Sequence, residues 1–127
     1  MNKLLWTLQV LFGLYFVGIG ATHFIVPEGL PAMMSWMYEL SDTLHLVSGT
    51  AEVLGGLGLI LPGLTKIMPK LPVYAAEGLV LTMVGAIVWH VSRGEYGNRA
   101  LNIVLIAVTG FIAYGRSKLS PLLEKSN

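Results

Sequence analysis

The chain has 127 residues, 54% of them hydrophobic and only 12% charged, whereas a soluble domain carries about a quarter charged residues, so water is the wrong solvent for it. A formal net charge of +1 supplies no basic patch, which removes nucleic acid from the expected partners. Without cysteine there is no disulfide framework, thiolate metal site or cysteine nucleophile.

A hydrocarbon core about 30 Å thick takes about 20 apolar residues at roughly 1.5 Å rise each, and four stretches approach that length. The first, 4–26, follows Met1, Asn2 and Lys3 and holds a loose small-x-small pair in Gly18 and Gly20. It is longer than the apolar region of a signal peptide, so a retained helix is expected. A segment at 29–40 follows, with Pro31 and the cluster Met33, Met34, Trp36, Met37 and Tyr38, bracketed by Glu28, Glu39 and Asp42; this is the pattern of a helix lying in the membrane interface. Further spans are predicted at 43–61, 73–91 and 100–114, joined by a turn containing Pro62, Pro69 and Pro72 and by the short polar piece 93–99. The whole chain, 1–127, therefore reads as a single all-α domain, a four-helix transmembrane bundle, multi-pass, and in the inner membrane if the host is bacterial. Lys3, Lys66, Lys70, Arg116, Lys118 and Lys125 fall on one side and Arg93 and Arg99 on the other. Cations concentrate on the cytoplasmic side, so both termini are expected there. Trp6, Trp36 and Trp89 are expected to anchor helix ends at the interface.

Ionisable side chains at membrane depth cost roughly 2.5 kcal/mol or more each, so His23, His45, Glu52, Glu77 and His90 call for an explanation. On the second helix His45, Ser48, Gly49, Glu52 and Gly56 share one face, where glycines admit a neighbouring helix and Ser48 and Glu52 bond across the gap. An antiparallel topology brings His23, His45, His90 and Asn102 to one level near the outer ends of helices one to four. Glu52 lies about 10 Å deeper, so the expected object is a cavity opening outward with an acid at its floor. Glu52 is expected to be neutral or to share a proton with a neighbour. Glu77 and His90 are roughly 220° apart around an ideal helix, so they cannot both point squarely at one cavity. Gln9, Phe16 and His23 share a face of the first helix, and Asn102 and Thr109 one of the fourth.

The segment HLVSGTAEVLGGLGLILPGL, 45–64, resembles the second-helix signature of the DoxX-like family of small membrane proteins, and the order of parts extends the resemblance. Pro27 or Pro31 stands in the first loop; His45, Gly49 and Glu52 follow; Gly55 and Gly58 lead out to Pro62; His90 ends the third helix and Asn102 opens the fourth. The resemblance implies roles as subunits linked to quinone reduction, as partners of membrane redox complexes, or as relatives of a receptor-assembly chaperone, and it fixes no reaction.

From the residues themselves, an independent enzyme is not the expectation. There is no cysteine pair, haem-attachment motif or dinucleotide-binding glycine loop, so any redox cofactor would belong to another subunit. No intrinsic cofactor and no metal site is expected, the histidines being scattered over three helices. The leading expectation is a binding module in which His23, His45, Ser48, Glu52, Glu77, His90 and Asn102 hold a lipophilic ligand with a polar head, a quinone or lipid. The alternatives are an assembly role, docking a membrane protein or a second copy through the helix-two stripe or the Met-rich loop, and a small proton-coupled exporter. Exporters of that kind carry their key Glu on the first helix, which has none here.

Overall fold

The computed structural model describes residues 1–94 and 99–122, without the side chains of Met33 and Arg99. Residues 95–98 of the third connection, and Lys125 among the cations counted above, lie outside the described residues. Four helices long and apolar enough to cross a membrane are present, and the described residues contain no strand: α1 is Asn2–Thr22, α2 is Asp42–Thr65, α3 is Leu71–Ser92, and α4 is Arg99–Tyr114, continued by a π-helical turn, Gly115–Leu119. A 3₁₀ segment, Ala32–Tyr38, joins α1 to α2 where an interfacial helix is expected; it forms the end of the bundle opposite the termini and is called the roof below.

Local chemistry sets the helix limits. α1 stops at Thr22, four residues short of the apolar run, through short turns in which His23 N–H and Phe24 N–H donate to the Gly20 and Ala21 carbonyls, and Pro27 disfavours helix just before it. Ser41 caps α2, its hydroxyl oxygen accepting from Leu44 N–H at 3.2 Å, with Asp42 in the first turn on the favourable side of the helix dipole. At its other end α2 stops at Lys66, in the left-handed conformation at φ 59°.

The first two helices make the closest seam. A Cβ added to Gly56 would meet the Gly13 carbonyl oxygen at 2.5 Å, and one on Gly13 would meet that of Gly56 at 2.9 Å. One turn-pair further along, a Cβ on Gly49 would lie 3.0 Å from the Gly20 carbonyl oxygen. These contacts are with backbone, which cannot rotate away, so glycine is required at both crossings. Helices α2 and α3 meet through side chains, Leu79 against Gly55 and Ala75 against Gly58. Helices α3 and α4 also pack along their length, whereas α1 and α4 touch sparsely.

The polarity of the surface is inverted relative to a soluble protein. Leu14, Leu54 and Leu81 are exposed, as a lipid-facing surface requires, while Gln9, His23, His45, Glu52, His90, Asn102, Thr109 and Arg116 are buried. An apolar cluster including Phe16, Leu59, Ala76, Leu79 and Ile112 fills the middle. It separates two polar regions, one under the roof and one near the termini.

Candidate functional site

The region under the roof is a cavity of about 520 Å³ to which all four helices and the roof contribute. Of the candidate residues, His23, Ser48, Glu52, His90 and Asn102 line it. His45 stands behind His23, and Glu77 lies outside, exposed on α3. The helical angle between Glu77 and His90 explains that split, since α3 turns His90 inward and so turns Glu77 away.

The face shared by His45, Glu52 and the two glycines puts the acid against α1, where close approach of the backbones brings His23 within reach. His23 Nε2 lies 3.1 Å from Glu52 Oε2, with both side chains almost fully shielded. The contact is at ion-pair distance without hydrogen-bond alignment, and Oε2 has no other protein partner among the described residues. The second ring nitrogen of His23, Nδ1, lies 3.0 Å from His45 Nδ1, and His45 Nε2 lies 2.8 Å from the Met37 carbonyl oxygen.

The chemistry of the partners fixes the direction of this chain. A carbonyl only accepts, so His45 Nε2 carries a hydrogen. A neutral His45 then has a bare Nδ1, and the hydrogen between the two rings belongs to His23 Nδ1. The roof is thereby tied into the site through Met37, which is fully buried.

Trp36 completes the upper wall. Its ring stands edge-on to His90 at 5.1 Å and to Trp89 at 6.3 Å, and tilted to His23 at 6.0 Å. Trp89 carries the Arg93 guanidinium 4.7 Å above its ring, and Arg93 also pairs with Glu39 on the roof side. Trp36 and Trp89 thus pack over the cavity instead of serving only as interfacial anchors. Since Met34, Trp36 and Leu40 line its upper end, the cavity is roofed at the end expected to open outward. Across from the acid, Asn102 is 7% exposed, and its Nδ2 has no hydrogen-bond partner among the described residues. A buried amide left so is costly, by about 1–3 kcal/mol. No group of three His, Cys, Asp or Glu among the described residues is placed to hold a metal ion.

The polar region near the termini centres on Arg116, only 2% exposed. Its Nε–H donates to Gln9 Oε1 at 2.5 Å and its Nη1 to Asn2 Oδ1 at 2.7 Å and the Ser120 carbonyl at 2.8 Å. Gln9 Nε2 in turn donates to the Leu59 carbonyl at 2.7 Å, next to the turn that Pro62 loosens by lacking an N–H. Counted by charge alone, Arg116 reads as one more surface cation; the signal for its burial was Gln9, a polar residue within the first span and on its inward face.

These features define a multi-pass membrane protein whose four-helix bundle holds a mostly apolar cavity with a few buried polar groups. The chain belongs to the DoxX-like family, whose model matches residues 7–112. No curated protein and no solved structure matches it.

Proposed function

We propose that this protein is a binding module of the membrane, holding a lipophilic molecule by its polar head in the cavity beneath the roof. A quinone or lipid-like compound has that character, and such a role fits a subunit that supports a membrane redox complex. The observation that carries the reading is Asn102 Nδ2, a buried donor with no acceptor among the described residues, beside a cavity of about 520 Å³ otherwise walled mostly by apolar side chains. Binding pockets have this composition, with few polar groups orienting a head and apolar walls taking the rest. Native mass spectrometry from mild detergent tests it, comparing the parent with Glu52→Gln and Asn102→Leu. A small molecule retained by the parent and lost in both variants is the expected result; no retained molecule, with the same oligomers in all three, overturns it.

A second reading, docking of a membrane protein or a second copy, is favoured by Glu77. It is exposed roughly 9 Å along α3 from its first residue, where an acid facing lipid is costly. Crosslinking of the parent against Glu77→Gln checks it: a shared loss of one adduct is expected, and an unchanged pattern counts against that surface.

A further inference from the structure

The cavity continues beyond the site already described. On α2 and α3 its lining residues include Val47 and Leu81, which are 60% and 72% exposed at positions well inside the two spans, and the small residues Ala51 and Gly85. A second, shallower groove of about 460 Å³ begins at the same Ala51 and runs towards the termini between the same helices, with Gly55, Gly58 and Gly78 among its lining residues and Leu71 at its far end. The two hollows therefore share a residue and a face, one deep and polar at its heart, the other apolar and open to the bilayer.

Charge narrows the occupant. No Lys or Arg lines the cavity among the described residues, so a phosphate head would find no cation to pair with. The acid that would attract a cationic head is already matched by His23 at 3.1 Å. What remains is Asn102 Nδ2, a donor without an acceptor among the described residues, which calls for a neutral head with an oxygen acceptor.

We infer that the ligand is a neutral-headed, long-chain amphiphile that enters sideways from the bilayer between α2 and α3, its head at Asn102 and its tail along the groove past Ala51 and Gly78. This rests on the binding reading above and adds a route and a tail site to it. The roof closes the alternative path along the bundle axis, and the groove gives the tail contacts that lipid alone would supply less specifically.

Three glycines provide the test, because a Cβ at Gly85, Gly78 or Gly18 meets no heavy atom within 4 Å. The first carbon of a side chain therefore has room at each, and leucine is a better helix former than glycine. Gly85 lines the cavity, Gly78 lines the groove, and Gly18 lines neither. Binding of short-chain and long-chain monoacylglycerols would be measured on the full chain in detergent. The parent is expected to prefer the long chain by at least about tenfold, the factor expected from burying two methylenes. G78L is expected to abolish that preference with short-chain affinity unchanged, G85L to weaken both probes about tenfold, and G18L to change neither. Parent binding with a chain-length preference that survives G78L and G85L overturns the lateral route while leaving the cavity site standing. Tighter binding of a long-chain acyl phosphate than of the monoacylglycerol overturns the neutral head. No binding of either monoacylglycerol to the parent overturns the ligand class proposed here, and retention of another small molecule in native mass spectrometry then shows that the cavity reading survives.

Discussion

His23 and His45 face each other through like atoms, Nδ1 to Nδ1 at 3.0 Å, an arrangement that permits one hydrogen between them and not two. With His45 neutral and its Nε2–H held against the Met37 carbonyl, the hydrogen in question is on His23. Nitrogen-15 spectra of labelled protein are expected to report His45 protonated on Nε2 and bare on Nδ1, and His23 protonated on Nδ1. The opposite tautomer of His45 would show that the roof contact is not formed.

Glu52 stabilises the fold as well as the site. Glu52→Ala leaves His23 Nε2 buried opposite a void, and thermal unfolding in detergent is expected to register a loss of about 1–3 kcal/mol. Glu52→Gln keeps the shape and offers an amide N–H to the same nitrogen, so it is expected to fall well below that loss while still disturbing ligand retention. Equal destabilisation by both variants would mean that the charge itself is needed.

Gly56→Ala is expected to push α1 from α2, since its Cβ would meet Gly13 backbone at 2.5 Å. Overpacking of this kind costs about 1–3 kcal/mol. Gly18→Ala, with open space around it, is expected to be neutral or slightly stabilising. Paired melting curves in one detergent check the contrast.

Arg116→Met retains the apolar stem but strands Gln9 Oε1 and Asn2 Oδ1, two acceptors now satisfied by one guanidinium. A loss of about 1–3 kcal/mol is expected, with binding in the cavity unchanged, because the apolar cluster lies between the two polar regions. Protease cleavage near the C-terminal end is expected to accelerate.

The Glu39–Arg93 pair is exposed at both ends, so its removal by Glu39→Gln is expected to alter melting by less than about 1 kcal/mol. Its effect belongs in kinetics: a roof held less firmly is expected to raise the ligand's dissociation rate, and an unchanged rate would free the roof of any gating role.

The helices and the inward stripe of α2 were legible because hydropathy and the 3.6-residue repeat record them directly. The grouping of His23, His90 and Asn102 followed from counting depth along antiparallel helices, and that of Ser48 and Glu52 from their shared face of α2. What depth alone does not record is rotation and layering. His45 and His23 sit at one level, yet one stands behind the other, and that order depends on the glycine crossing that sets the distance between α1 and α2. The roofing of the cavity by Trp36 depends on a 3₁₀ segment with no strong periodic signal. Arg116 was hidden because a π-helical turn, Gly115–Leu119, rotates it inward where an ordinary helix end reads as solvent-facing.

The glycine crossings have a mechanical side. Backbone pressed on backbone makes α1 and α2 a stiff pair, and it carries Glu52 with both histidines of the hydrogen-bonded chain. His90 and Asn102 ride on the other pair, α3 and α4, and the interval between the pairs at that level is cavity instead of side-chain contact. A molecule with its head at Asn102 and its body between the pairs would act as a spacer, setting how far apart the two hairpins stand, so that occupancy would be readable as a distance between α2 and α3 without any movement inside either pair.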